Sequence, residues 1–508
     1  MNKQILISIF VTLTCVNIVR AQLPEQSDSL VNELQEIVVK ANNPVTKLVG
    51  NSLVSTVAGS PLQNLGNCLD VLGQLPLISI HDDAVEVMGK GNPEIYIDGR
   101  PLRDAIELQQ LQSTDIKRVE LLLAPGATYA SHTQAVLKIT TRKSFIQGLS
   151  FTDKAEVKVR RKCSANDLLD VNYRTGKWDI FAAATVAHNN SMIKGTTTNK
   201  FIFNGVNTIV GSSQSNVYLS NNATIKTGFN YAAGSQSFGA YYRYNPEKAN
   251  FENNGTEWLN DEAPVMRIIQ KDTRANSHLA SIYYDNTFHD KYHLHFDGNY
   301  RKSLSTGDTD TSYPKLEIPD ICSHDSRSST LWAGKATFDF PLWQGSLVVG
   351  TQDSYTRTSL DYRMLSPSVG EYIPSSFTVA RQTSLAGFAS WERTFGIFNL
   401  NVGLRYEYVD YIFNINEKKD SDLSRKHNTL TPDISLSWMF NEKSQVSLSY
   451  RMATLKPPYS QLTGNLSYVG MHEIEGGNPT LRDERMHDVQ LFGMWNGFMF
   501  QADYTRSI

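Results

Sequence analysis

The chain has 508 residues, of which 40% are hydrophobic, 19% charged and 10% aromatic, and its net charge is −3 at pH 7. The aromatic content excludes a disordered chain, and no run after the first twenty-odd residues is apolar enough for a transmembrane helix. A slightly acidic chain without a basic stripe also gives no indication of nucleic-acid binding. These averages remain compatible with a membrane β-barrel, whose strands are apolar only at every second residue.

The first 21 residues have the pattern of a secretory signal peptide. Lys3 supplies the positive charge, residues 5–19 form the apolar segment, and a cleavage-like triplet ends at Ala21. Export would permit disulfides. However, the three cysteines after this segment lie far apart in sequence and show no disulfide or metal-binding spacing. They are Cys68, Cys163 and Cys322.

Residues 46–145 mix helical and extended patterns. The apolar spacing in 64–75 predicts a helix that ends at Pro76, and a second short helix is predicted at 106–111. Strands are predicted at 85–87, 94–97, 116–123 and 135–141, and Asp98-Gly99 is typical of a tight turn. These elements predict a small α/β domain.

From residue 149 onward, apolar and polar residues alternate in successive hairpins. One run places Phe398, Leu400, Val402 and Leu404 at every second position. Short turns are predicted near 176, 234, 290, 343, 395, 442 and 496. They alternate with long polar segments, predicted as loops, near 193–217, 248–274, 304–326, 359–379, 413–427 and 455–483. This alternation predicts an antiparallel transmembrane β-barrel over 149–508, because such a barrel keeps its short turns on the periplasmic side. A soluble propeller or solenoid is the alternative, but no fixed-period repeat favours it.

Several segments of the first domain resemble the plug of TonB-dependent outer-membrane receptors. They are DVLGQLPLISI (70–80), VEVMGKGNPEIYIDGRPL (85–102), LQSTDIKRVELLLAPGATY (111–129) and AVLKITTRK (135–143). GNPTLRDERMHDVQL (477–491) resembles a late strand of the same family's barrel. The chain is thus similar to a Bacteroidetes-like member of this family. That resemblance implies energised uptake of a scarce solute across the outer membrane, with no enzymatic activity. The solute would be of the siderophore, cobalamin, oligosaccharide or peptide class.

A short segment within residues 22–45 resembles the energy-coupling box of this family. Its residues are Leu34, Gln35, Glu36, Ile37, Val38 and Val39. Three strong strand formers between polar neighbours suit addition to a sheet edge of a TonB-type protein of the inner membrane. The alternative is an ordinary first strand of the plug.

Other chemical motifs are weak. Gly89-Lys90-Gly91 precedes Pro93 and is better explained as a turn than as a phosphate loop. His293 and His295 share a strand face that would point into the lumen, where polar residues are expected without any metal. Acidic residues at 308 and 310, in a predicted loop, lack the rest of a calcium ligand set. We therefore expect neither a catalytic site nor a metal or cofactor.

The strand count raises a question about length. We count about fifteen strands after residue 149, whereas the resemblance implies 22, so the barrel is predicted to be incomplete and the sequence C-terminally truncated. Two alternatives to energised uptake stay open. One is a passive pore or surface-binding barrel with a vestigial plug, and the other is a periplasmic or secreted β-rich binding protein.

Overall fold

The computed structural model describes residues 7–8, 45–81, 84–102, 106–142, 147–441, 444–457, 466–478 and 480–508. It consists of a small α/β domain, the plug, and one large antiparallel sheet that forms the barrel wall. None of the helices in the described part of the chain combines the length and apolar character that a membrane crossing requires.

The elements up to residue 141 include the predicted helices and strands in the predicted order, together with several strands that were not predicted. They are β1 (Ile7–Ser8), β2 (Thr46–Val49), β3 (Ser52–Thr56), α1 (Cys68–Leu72), β4 (Ile78–His81), β5 (Ala84–Val87), β6 (Glu94–Ile97), β7 (Arg100–Pro101), α2 (Ile106–Gln110), β8 (Ile116–Leu122) and β9 (Val136–Thr141). Short 3₁₀ turns lie at Pro61–Asn64 and Ser113–Asp115. The predicted helix 64–75 is therefore shorter than expected. It begins only at Cys68, because Asn67 is its N-cap and forms a reciprocal capping box with Asp70.

In the described part of the plug, the sheet has the order β2-β3-β8-β9-β6-β7, in which β6 and β9 pair parallel and the other neighbours pair antiparallel. Its apolar face packs against α1 and the β4–β5 hairpin. The fully buried residues of this core include Val71, Leu72, Ile116, Leu137 and Ile139. The plug thus has its own hydrophobic core, as an independent α/β domain requires.

Within the described residues the wall contains fifteen long strands, in agreement with the prediction of about fifteen. They are β10 (Gly148–Val159), β11 (Cys163–Thr175), β12 (Trp178–Phe203), β13 (Val206–Ala233), β14 (Gln236–Leu259), β15 (Val265–Phe288), β16 (Tyr292–Ser312), β17 (Ile321–Leu342), β18 (Gly345–Met364), β19 (Ser376–Phe395), β20 (Phe398–Ile415), β21 (Lys418–Asn441), β22 (Ser444–Leu455), β25 (Glu484–Trp495) and β26 (Phe498–Ser507). A short helix α3 (Pro367–Gly370) precedes β19, and a small hairpin, β23 (Leu466–Gly470) and β24 (Glu473–Gly476), precedes β25.

Each long strand pairs antiparallel with its neighbours in the chain, so the order is β1-β26-β25-β22-β21 and so on to β10. Within the described residues, β10 and β1 are the two ends of this order, and no pairing joins them. The truncation of the sequence stays a prediction.

We call the end of the wall with the short turns at 176–177, 234–235 and 343–344 the inner end, and the opposite end the outer end.

The prediction of long loops at the outer end is largely wrong. Residues 193–217 are the continuous upper part of the β12–β13 hairpin, which is paired as far as Phe203↔Val206 around the turn Asn204-Gly205. Both turn residues have positive φ, as a type I′ turn requires. Outside the bilayer both faces of a hairpin meet water, so the apolar alternation disappears although the backbone ladder continues. The sequence pattern therefore looked like a loop.

Alternation within the wall separates an outer and a lumenal face. On β20, Val402, Leu404 and Tyr406 are 42–49% exposed, whereas Arg405 and Glu407 between and beyond them are buried. The apolar residues are exposed because they face the lipid, and the charged ones are buried against the plug. Aromatic residues gather at the inner end, where Trp178 contacts Phe229, Tyr231 and Phe238. This clustering is typical of an aromatic girdle at a membrane interface.

Candidate functional site

The predicted coupling box, Leu34 to Val39, lies outside the described residues. Gly89-Lys90-Gly91 forms the predicted turn, since both glycines have a φ of +72° in the connection from β5 to β6. The Lys90 ammonium lies 3.7 Å from the carboxylate of Asp503 on β26, so this turn contacts the wall. Burial lowers the pKa of Lys90, although Asp503 acts in the opposite direction.

The two predicted lumenal histidines form a polar ladder instead of converging on an open site. His293 and His295 lie 2.9 and 3.1 Å from the same carboxylate oxygen of Asp285 on β15, and His295 also lies 3.5 Å from Asp297. Across the described ranges, no group of three or more His, Cys, Asp or Glu side chains is arranged to hold a metal ion.

Asp308 and Asp310 do not lie in a loop as predicted, because both belong to β16. The Asp308 carboxylate pairs with His324 on β17 at 2.7 Å. The cysteines Cys68, Cys163 and Cys322 are free thiols.

The plug is attached to β20 and β22 by a buried polar network around Glu407. The Glu407 carboxylate accepts hydrogen bonds from Ser131 of the plug at 3.2 Å and from Ser384 on β19 at 3.2 Å, and it pairs with Lys456. The Ser131 hydroxyl also lies 2.6 Å from that of Thr454. Glu407 is buried, so its charge is stabilised by these donors rather than by water.

A second group of contacts ties the plug loop 124–135 to β21 and β22. The Arg451 guanidinium donates to the carbonyl of Thr133 at 2.6 Å and lies 3.3 Å from Asp488 on β25. The Asp433 carboxylate accepts the backbone N–H of Ala127 at 3.0 Å. A Cβ at Gly403 would overlap this carboxylate, so any larger residue there would force the Asp433 side chain to move.

Two plug tyrosines surround a lysine of the wall. The Lys335 ammonium on β17 lies 6.0 Å from the ring centroid of Tyr96, 5.3 Å from that of Tyr129 and 5.8 Å from that of Phe388 on β19. Such contacts stabilise a cation away from water. Burial, followed by the nearby carboxylate of Glu94, raises the pKa of Tyr96, which keeps this hydroxyl neutral.

Apolar contacts attach the plug on a further side. Phe492 and Met494 on β25 project into the lumen and belong to the same buried cluster as the plug core, with Met499 of β26 packed against it. The lumenal face of β25 is therefore apolar near the inner end, where a solvent-filled lumen would favour polar residues.

On the side of β13 to β16 the plug meets the wall differently. Glu107 of α2 pairs with Arg100 of the plug at 2.8 Å and with Lys226 on β13 at 2.7 Å. Beyond this ion bridge lies a cavity of about 240 Å³ between β7 and the wall. Its lining residues are Arg100, Pro101, Leu102, Tyr241, Leu279, Ser281, Tyr283, Asp297 and Asn299.

At the outer end, residues 466–476, which we call the cap hairpin, reach from the β22 side of the wall to β14 and β15. Arg267 donates to the Val469 carbonyl at 2.7 Å and to the Glu257 carboxylate at 2.9 Å, and Glu257 accepts the Met471 N–H at 3.0 Å. The side chains of Arg267 and Glu257 are only 7% and 6% exposed. Because six strands separate β22 from β15 in the sheet, the hairpin spans the mouth of the lumen.

These site residues were not singled out by the sequence. The available signal was a charged residue at an inward-facing position of an alternating run, such as Arg405 and Glu407 flanking Tyr406. The pattern gives the face of such a residue but not its partner, since the plug lies several hundred residues away in the chain.

The comparisons agree with this architecture. Residues 286–507 match the outer membrane protein beta-barrel family. This match supports the outer-membrane location that the sequence predicts. The fold of the chain is that of the TonB-dependent receptors, which confirms the resemblance at the level of the fold.

Two solved structures illustrate the likeness. The chain is similar to the ferric enterobactin receptor PfeA of Pseudomonas aeruginosa in complex with enterobactin, with 12% identity over 91% of this chain and 72% of that chain and a TM-score of 0.50. It is also similar to the copper transporter OprC, with 9% identity over 91% of this chain and 72% of that chain and a TM-score of 0.50. A search of curated proteins finds no match. At these identities the likeness concerns the fold alone.

Proposed function

We propose that this protein is a TonB-dependent receptor that takes up a scarce solute across the outer membrane. Residues 1–21 are the signal peptide, 22–45 carry the coupling box, 46–145 form the plug and 149–508 form the wall. The protein acts by binding and transport, without catalysis. Its partners are the lipid around the wall, a small solute and a TonB-type protein of the inner membrane.

The observation that supports this proposal best is the nature of the contacts between plug and wall. Among the described residues, and apart from the apolar contact at β25, they include hydrogen bonds, ion pairs and cation–π contacts, formed by residues such as Glu407, Asp433 and Lys335. Water can satisfy these groups when the plug shifts, so their exchange costs less than the exposure of an apolar core. A plug that must move reversibly under an applied force requires contacts of this kind.

The coupling box then has a defined role. Ile37, Val38 and Val39 add as an edge strand to the inner-membrane partner, and the pull on this segment is transmitted to the plug. The solute is of the siderophore, cobalamin, oligosaccharide or peptide class.

The test compares two deletions of equal length, residues 34–39 and residues 24–29, in cells lacking other uptake systems. Accumulation of a panel of labelled ferric siderophores, cobalamin and oligosaccharides is measured with and without a protonophore. We expect the 34–39 deletion to abolish energised accumulation while surface binding persists, and the 24–29 deletion to retain both. Accumulation that survives the 34–39 deletion and the protonophore would instead support a passive pore or surface-binding barrel.

A further inference from the structure

Two arginines lie directly opposite each other on the outward face of the wall. Arg357 on β18 and Arg381 on β19 are partners in the strand ladder, so their side chains project from the same face with their Cβ atoms about 5 Å apart. Tyr355 and Leu385, at alternate positions on that face, are 39% and 47% exposed, which identifies it as the face toward the lipid. Both arginines are exposed as well. Like charges directly opposite each other destabilise a sheet, so this pair has an electrostatic cost.

The protein does not neutralise this pair of charges. Within the described residues, no carboxylate forms an ion pair with either arginine. Three carboxylates lie on the outward face of the described strands β17 to β20, and each has another partner. They are Asp361 with Arg363 at 2.7 Å, Asp410 with Lys426 at 3.2 Å, and Asp353 with the N–H of Ala386 at 3.3 Å. An anion from outside the chain would therefore relieve the repulsion between the two guanidinium groups.

Aromatic residues mark the level of this pair in the membrane. Tyr300, Trp332 and Tyr355 are consecutive ladder partners across β16, β17 and β18, and the ring centroids of Tyr300 and Trp332 lie 4.4 Å apart. Trp332 and Tyr355 are each ten residues from the inner end of their strands, about the length of strand that crosses a bilayer. Aromatic rings at that distance are typical of the outer girdle. Arg357 lies two residues farther out, at the level of the lipid headgroups.

A lysine on a nearby strand adds a third cation. Lys302 on β16 is paired in the ladder with Thr330 on β17, which is paired in turn with Arg357. The Lys302 ammonium donates to the Ser328 hydroxyl at 2.7 Å and to the Thr330 hydroxyl at 3.1 Å, so it is held over β17, on the side of the arginines. An ammonium has three donors, so one N–H stays available for a ligand.

We propose that Arg357 and Arg381 bind the phosphate group of an outer-leaflet lipid, and that Lys302 strengthens the attraction. A guanidinium presents a planar fork of donors that matches phosphate oxygens, and a phosphate between two arginines removes their repulsion. The ligand is a lipid because the cations border the bilayer, where the exposed ring of Trp332 offers an apolar surface to the acyl region. This contact fixes a lipid on one side of the wall and does not depend on solute uptake.

The experiment titrates lipid A into the purified full chain in uncharged detergent micelles and measures the dissociation constant by native mass spectrometry. Dephosphorylated lipid A is the second probe, and inorganic phosphate is the competitor. The test variant is Arg357→Gln with Arg381→Gln, and Arg357→Lys with Arg381→Lys keeps the charge. The control, Lys418→Gln with Lys419→Gln, removes two exposed cations beside the β20–β21 turn at the outer end.

The double glutamine variant is expected to bind lipid A about thirtyfold more weakly than the parent. The double lysine variant should keep most of the affinity and the control should keep all of it. Dephosphorylated lipid A should bind the parent as weakly as lipid A binds the double glutamine variant. Equal affinity of the parent and the double glutamine variant for lipid A overturns the inference, and so does an equal loss in the control. Displacement of lipid A by equimolar inorganic phosphate also overturns it, because the arginines would then select a free anion.

A measurement without lipid A separates lost binding from lost folding. Removal of two like charges relieves their repulsion, so the double glutamine variant should unfold in the micelles at a temperature no lower than that of the parent. A lower unfolding temperature without lipid A would contradict the premise that the two arginines repel each other.

Discussion

Removal of the Arg267 guanidinium is expected to release the cap hairpin. Arg267→Met keeps the length of the side chain but leaves the Glu257 carboxylate, 6% exposed, with the Met471 N–H as its remaining donor from the hairpin. Breaking one partner of a buried ion pair costs about 3–5 kcal/mol. The Val469 carbonyl loses its donor as well. Because these groups join the hairpin to β14 and β15, the cost falls mainly on closure of the hairpin.

The assay is hydrogen exchange of the amides in residues 466–476, measured on the purified protein in detergent micelles. A loss of ~3–5 kcal/mol in closure corresponds to protection lowered by roughly two to three and a half orders of magnitude, at ~1.4 kcal/mol per factor of ten. Arg363→Met serves as the control, since Arg363 forms a surface pair with Asp361 and is 62% exposed. That variant should leave the hairpin protected.

A double variant tests the cause. Arg267→Met with Glu257→Gln removes the orphaned charge, so part of the lost protection should return. The reasoning is refuted if Arg267→Met leaves exchange in 466–476 unchanged, or if the double variant exchanges faster than the single one. Either result would mean that the buried pair does not hold the hairpin.

Two further predictions concern the plug loop and the outer end. Gly403→Ala should displace the Asp433 carboxylate from its plug contact at a cost of about 1–3 kcal/mol, seen as faster exchange in residues 124–134. Gly387→Ala, with open space around its site, should not. The second prediction concerns Asp483 at the outer end. Burial of its carboxyl acts to raise the pKa, but the hydrogen bond from His427 holds the pKa of Asp483 below its usual value. This contact should persist above the usual carboxyl range and weaken as pH falls through the lowered pKa, so hydrogen-exchange protection of the amides in 480–483, corrected for the intrinsic exchange rate, should fall only there; a fall near neutral pH would contradict it.

The plug illustrates what sequence patterns predict well. Residues 84–141 contain the predicted β5, β6, α2, β8 and β9, because each element has a local signal: a short β-branched run, an Asp-Gly turn or an apolar helical spacing. The 64–75 helix was predicted too long, since the capping box at Asn67 and Asp70 fixes a later start. Side-chain hydrogen bonds at a helix end can start the helix at a different residue from the one that the apolar periodicity predicts. The sequence pattern alone does not show which of these two effects is stronger.

For this protein, the sequence by itself determined the class of fold: a small α/β domain followed by fifteen alternating strands with short turns at one end. Period-two alternation is local and needs no tertiary knowledge. Only the tertiary structure decided which lumenal residue meets which plug residue, as with Asp433 and the Ala127 N–H. It also decided that outer connections such as residues 193–217 continue as paired strands. Contacts between residues hundreds of positions apart depend on how the sheet curves around the plug, and no local pattern records that curvature.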